Sequence, residues 1–243
     1  MSDVFAALES IAAGRRGDPL APVTAVVPSH AAGLHLRRRL AEMGPFAGVR
    51  FETLPRIAEL LAAGHLAAAG RAPLARPIGD YVAALVALES RGALERVGDL
   101  PGYARSLRRI FRRLRVGGIH SAVEVQGHVN DPQFGEILRL YDRFRAETAR
   151  FYDDEDLLDA AADAVESGKA GALSDLGRVF VVPPGALTAG AAKLLAALEG
   201  RAPAYLKLDE PAAAAPEARF VLAPDPASEA REVVREVISA LEA

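Results

Sequence analysis

The 243-residue chain contains no cysteine, which excludes a disulfide framework, a thiolate metal site and a thiol nucleophile. No apolar run approaches the roughly 20 residues needed to cross a bilayer. The first ten residues, MSDVFAALES, carry no basic n-region of a secretory signal. Nothing points to export, and a cytoplasmic, membrane-free location is the expectation. The five histidines (His30, His35, His65, His120 and His128) show no metal-ligand spacing, so no metal is expected. Gly185-Ala186-Leu187 holds no nucleophile where a hydrolase elbow would need one. Lysine is almost absent as well: only Lys169, Lys193 and Lys207 stand beside 26 arginines. With so much alanine and glycine, codon bias explains that excess as well as phosphate binding does.

What is present is an ordinary globular mixture, 51% hydrophobic and 25% charged, long enough to bury a sizeable core. The net charge of −3 conceals an asymmetry. Residues 1–118 hold 17 arginines against 10 acidic residues, a balance of +7; residues 119–243 hold 12 basic against 22 acidic residues, a balance of −10. A basic front half can face nucleic acid while an acidic back half faces solvent or a partner.

Along the chain, Val4 to Ala13 has helical apolar spacing. Thr24-Ala25-Val26-Val27, closed by Pro28, predicts a buried strand, and Ser29 stands where the N-cap of a helix over Ala32–Met43 belongs. Val49–Thr53 predicts a second strand and Pro55–Leu66 a helix. From about Pro77 to Ser167 helical segments follow one another (Gly79–Glu95, Tyr103–Val116, Pro132–Tyr152, Asp154–Glu166) without a convincing strand. The strand rhythm resumes at Arg178–Val182, Ala204–Leu208 and Arg219–Leu222, with helices over Ala189–Leu198 and Ala227–Leu241; the Ala-Pro stretch 211–216 reads as a loop. The expectation is an α/β fold, a mainly parallel sheet with flanking helices, interrupted by a mostly helical subdomain. Its parts are 1–76, the first stretch of the core; 77–167, the helical insertion; and 168–243, the second stretch and a passage toward a further domain.

Four stretches in this order resemble the first motor domain of superfamily-1 helicases, in the version found in AddB-type helicase–nuclease subunits. They are Val26-Val27-Pro28-Ser29-His30 with the helix Leu34–Leu40; Val49–Leu54 leading into Ile57–Leu61; Leu100–Tyr103 running into Leu107–Gly118; and Tyr152–Leu158, similar to the D-x-x-DLL that precedes motif II. The resemblance implies a P-loop-NTPase-like, RecA-like core in degenerate form, a role in DNA repair or recombination, and a partner subunit of a helicase–nuclease. Two departures bear on activity. No G-x-x-x-x-G-K-[ST] phosphate loop occurs; the nearest candidate, Gly14-Arg15-Arg16-Gly17, follows a helix. Val181-Val182 runs into Pro183-Pro184-Gly185-Ala186, with no carboxylate to hold magnesium. An ATPase with its phosphate loop upstream of Met1 would still lack that acid. The chain alone is therefore expected to be no enzyme and to need no cofactor. Val221–Pro224 and the helix through Arg235 look like the passage into a second motor domain, and the family's C-terminal nuclease lies outside this sequence. A fragment and a truncated gene product both remain open.

The candidate DNA-binding residues are Ser29, His30, Arg37, Arg105, Arg108, Arg109 and Arg112. Ser29 and His30 follow a strand where motif Ia of the resembled family touches single-stranded phosphates; Ser29 as a plain N-cap is the economical alternative. Of Arg37, Arg38 and Arg39 at most two can reach one strand. Arg105, Arg108, Arg112 and Arg115 are expected near one exposed face of an amphipathic helix, with Arg109 and Arg113 beside them. That face either tracks a DNA backbone or pairs with carboxylates of the back half. Asp153–Asp156 either attract magnesium or, more economically, place Asp154 as an N-cap with first-turn acids behind it. Two functional readings follow: a non-catalytic module that binds single-stranded DNA or serves as scaffold, and a protein–protein interaction module without DNA binding.

Overall fold

The computed structural model describes residues 20–44, 47–125, 131–182, 185–202 and 204–207, together with 225, 228, 230–232 and 234–235. The expected helix Val4–Ala13, the Gly14–Gly17 turn, the loop 211–216 and the strand Arg219–Leu222 lie outside the described residues. The chain divides into two units, 1–209 and 210–243. In the second, Asp225 Oδ1 accepts a hydrogen bond from the Ser228 amide at 2.8 Å, and the remaining described residues of the expected helix Ala227–Leu241 are helical.

The first unit is α/β, built on a small all-parallel sheet. Strands β1 (Val23–Val26), β2 (Val49–Glu52), β5 (Arg178–Val181) and β6 (Ala204–Lys207) lie in the order β2-β1-β5-β6. Its two halves come from stretches of sequence on either side of a long helical block, as expected. β1 and β5 are short runs rich in β-branched residues because they are central and covered on both faces. Their alternation sorts the side chains. Val26, Val179 and Val181 join a core with helices α2 (Leu54–Ala68), α6 (Asp154–Glu166) and α7 (Ala189–Arg201). Val23, Val27 and Phe180 turn to the other face, against Leu36 and Leu40 of α1 (His30–Glu42).

Between β2 and β5 the chain leaves the sheet through β3 (Ala72–Pro73) and returns through β4 (Phe151–Tyr152), two residues each and paired in parallel with one another. β4 corrects the expected helix over Pro132–Tyr152. Helix α5 (Pro132–Glu147) stops at Thr148, whose hydroxyl donates to the Phe144 carbonyl, and the aromatic pair that follows finds a strand partner 79 positions upstream. The expected helix over Gly79–Glu95 also shortens, to α3 (Arg76–Ala87), followed by a 3-10 turn over Gly92–Val97.

α3, α4 (Pro101–Val116) and α5 close around a core of their own. Leu107, Phe111 and Leu114 of α4 pack with Val86 of α3 and with Leu138, Tyr141 and Phe144 of α5. The Phe111 ring lies 5.6 Å from Tyr141 and 5.2 Å from Phe144, tilted against both. Helix α6 does not belong to this bundle; its Leu157, Leu158, Ala161 and Val165 are buried against the sheet's helices. α4 ends in a glycine cap. Gly118 adopts φ +79°, and the Ile119 amide turns back to the Leu114 carbonyl at 2.9 Å.

Candidate nucleic-acid interface

From β1 the chain moves to β2 on one side, and after the bundle it returns as β5 on the other. The strand order thus reverses between β1 and β5, and open parallel sheets bind ligands outside the carboxyl ends of strands at such a switch. Ser29 and His30 stand there, both exposed. Ser29 is the N-cap of α1, its hydroxyl accepting from the Ala32 amide at 3.2 Å. The helix that follows β5 is closed by the chain itself. Thr188 Oγ1 accepts from the Ala191 amide at 3.2 Å, and Glu155 Oε2 accepts from the Gly190 amide at 3.3 Å. Burial pushes the Glu155 carboxyl above its ordinary pKa, against the pull of its hydrogen bonds from Thr188 and Gly190. Side chains thus take one amide at the start of α1 and two at the start of α7.

On α4 the structure divides the arginines that the sequence groups together. Arg105, Arg109 and Arg112, at i, i+4 and i+7, are exposed, with Arg113 beside them. None of the four meets a carboxylate among the described residues; Arg105 bonds only to the Pro101 carbonyl of its own helix, at 3.3 Å.

Arg108 departs from the exposed position expected of it. Its side chain is 26% exposed, its Nε lies 3.9 Å from Asp80 Oδ1, and its guanidinium sits 5.2 Å above the Phe144 ring. It crosses Gly79 so closely that a Cβ there would lie 2.6 Å from Nη2. Burial lowers its pKa. Arg115 departs further, being 4% exposed. The reason is the same for both. They sit on the flank of α4 that faces neighbouring elements, and those elements supply an aromatic face for one and carboxylates for the other.

Arg115 belongs to a cluster that sequence reading missed. Its Nη2 donates to Asp156 Oδ1 at 2.7 Å, its Nη2 and Nε reach Asp153 at 3.3 Å, and its Nη1 lies 2.8 Å from His120 Nδ1. Arg145 of α5 donates to Asp156 Oδ1 at 3.0 Å, and Arg71 donates to Asp156 Oδ2 at 3.0 Å and to the Phe151 carbonyl at 2.6 Å. Burial alone would raise the Asp156 pKa, but the hydrogen bond and charge of Arg145 and the charge of Arg115 outweigh it and hold the carboxyl below its usual range. The N-cap of α6 is Asp153 rather than Asp154. Asp153 and Asp156 form a reciprocal capping box, with bonds of 2.8 and 3.2 Å. The D-x-x-D spacing was the available signal for it. No group of acidic and histidine side chains among the described residues is arranged to hold a metal ion.

Gly118, just past α4, packs against Ala189 at the start of α7, and α7 follows β5, the neighbour of β1. The remaining candidate, Arg37, is exposed on α1. No described helix is long and apolar enough to cross a membrane. In comparison with known proteins the chain matches no family model and no curated protein.

Proposed function

We propose that this chain is a non-catalytic, helicase-like α/β module of the type used in DNA-repair and recombination helicase–nucleases, and that it binds single-stranded DNA through α4. The observation that carries this reading is the ridge of Arg105, Arg109 and Arg112, exposed and without a carboxylate partner among the described residues. An arginine ridge left open to solvent suits a phosphate backbone, where each neutralised phosphate releases counterions. The sheet lends support, because its halves are separated in sequence by a helical bundle, as the family resemblance implies. A degenerate RecA-like core is the finer reading that goes with this. The sequence has neither a phosphate loop nor an acid after β5, so the module works without ATP.

The test is a fluorescence-anisotropy titration of the whole chain with single-stranded and duplex oligonucleotides of several sequences. The proposal expects single strands to be preferred, sequence to be ignored, and affinity to fall steeply with salt. No binding to single strands at moderate salt would overturn it.

A scaffold role toward a partner subunit is the second reading, and one observation favours it. Tyr81 and Leu85 of α3 and Leu88 at its C-cap form an apolar stripe, 64%, 46% and 63% exposed, larger than the isolated apolar residues normal on a surface. On this reading DNA binding is absent and replacing the stripe abolishes partner capture.

A further inference from the structure

Among the described residues the bundle α3–α5 and the sheet share no buried residue: one core is built within the bundle, and another from α2, α6, α7 and the strands. The chain passes between them twice, inward through Arg71–Pro73 and outward through Phe151–Asp153. The two crossings are bonded to each other, the Ala72 amide to the Arg150 carbonyl at 3.1 Å and the Leu74 amide to the Tyr152 carbonyl at 2.8 Å. A two-residue parallel pair is a narrow neck. Around it stand the ionic groups that tie one body to the other, Arg115 and Asp156 buried and Arg71, Arg145 and Asp153 half-buried. Arg115 and Arg145 come from the bundle; Asp153 and Asp156 come from the N-cap and the first turn of α6 on the sheet side; Arg71 comes from the entering crossing.

We infer that this cluster is a releasable clasp: with Asp153 and Asp156 engaged the bundle is held in one orientation, and with the clasp opened it turns as a rigid body about the β3–β4 neck. The chemistry of the joint favours this over a fused interface. Interdigitated apolar side chains have one good fit, whereas guanidinium–carboxylate pairs break and re-form between discrete arrangements. Three guanidiniums share two carboxylates here, so one arginine can leave while Asp156 keeps a partner. Asp156 is the hub, accepting from Arg71, Arg115 and Arg145. The clasp also sets where the α4 ridge points relative to Ser29 and His30, yet the motion itself does not depend on what the ridge binds.

The absence of cysteine makes the test direct. Two cysteines introduced at exposed positions, Asp99→Cys in the bundle region and Glu199→Cys on α7, carry spin labels whose separation is read by double electron–electron resonance. The doubly labelled chain should give one narrow distance, and adding Asp156→Asn should at least double the width of that distribution or add a second distance. A second label pair within the bundle, Asp99→Cys and Ala146→Cys, should keep its distance in the Asp156→Asn background. An unchanged bundle-to-α7 distance in folded Asp156→Asn would overturn the inference, and so would broadening of the within-bundle pair, which means melting rather than turning. If Asp156→Asn does not fold, Arg145→Gln removes one of the two bundle-side arginines from a side chain only 26% exposed. It should broaden the bundle-to-α7 distance alone, and an unchanged distance there counts equally against the clasp.

Discussion

Arg115 near the end of α4 and Asp156 in the first turn of α6 meet at 2.7 Å with side chains only 4% and 8% exposed. They join two bodies with separate cores. Removing one member of an isolated buried pair typically costs about 3–5 kcal/mol; here Asp156 keeps Arg71 and Arg145 when Arg115 is lost, which sets the loss at the lower end. Arg115→Met should therefore lower the unfolding free energy by roughly 3 kcal/mol, read as a fall in urea midpoint. The same pair makes stability depend on acid. The Asp156 pKa is depressed in the folded chain, so its contribution is fully present above the unfolded value of about 4 and fades as pH falls through the folded value. Wild type should lose stability as pH falls below about 4, to a degree that Asp156→Asn does not; the two slopes, compared by urea titration, decide it.

Glu155 has the opposite sign. Its pKa is raised by burial, so the folded state holds that proton more tightly than the unfolded chain does. The resulting stability is fully present below the unfolded value of about 4.3 and is lost as pH rises through the folded value. Glu155→Gln keeps an oxygen for the Gly190 amide while removing the charge. Its thermal midpoint should exceed that of wild type at pH 7, with the difference shrinking toward pH 4. Equal midpoints at pH 7 would refute this account of Glu155.

Gly177 stands where the chain enters β5, at φ +61°, and an added Cβ would collide with the Pro22 carbonyl just before β1. Backbone strain and overpacking act together at that position, each worth about 1–3 kcal/mol. Gly177→Ala should cost roughly 3 kcal/mol in urea unfolding, whereas Gly171→Ala, in open space, should cost little.

Arg108 and Arg109 are adjacent in sequence and differ in setting. Arg108→Ala gives up the guanidinium's seat over the Phe144 ring and the burial of its stem, about 1 kcal/mol. Arg109→Ala, at an exposed position, should stay within about 0.5 kcal/mol of wild type. Chemical denaturation of the two single variants distinguishes them.

These contrasts show where sequence reading stops. The runs at β1 and β5 were legible because a central parallel strand is covered on both faces and needs consecutive apolar residues. β3 and β4 were not, since two residues carry no period and their pairing spans 79 positions. On α4 the apolar stripe through Leu107, Phe111 and Leu114 was legible. The fate of each flanking arginine was not, because it depends on Asp80, Phe144, Asp153 and Asp156, which no helical wheel contains. In the run Asp153-Asp154-Glu155-Asp156 the cap is one residue earlier than expected. A row of acids offers several candidate caps, and only the reciprocal bond between Asp153 and Asp156 selects one. Ser29 was legible as an N-cap because a serine directly after a buried strand has that local role whatever else it does.

The most direct test of the proposed function is the salt dependence of single-stranded DNA affinity for wild type and for Arg109→Ala/Arg112→Ala. Both positions are exposed and make no ion pair among the described residues, so the double variant should fold with near wild-type stability. Anisotropy titrations at several salt concentrations should show weaker binding to every sequence alike. The slope of log affinity against log salt should flatten by about 0.7 for each phosphate the variant no longer neutralises. Superimposable titration curves for the two proteins would contradict the assignment of α4 as the DNA surface.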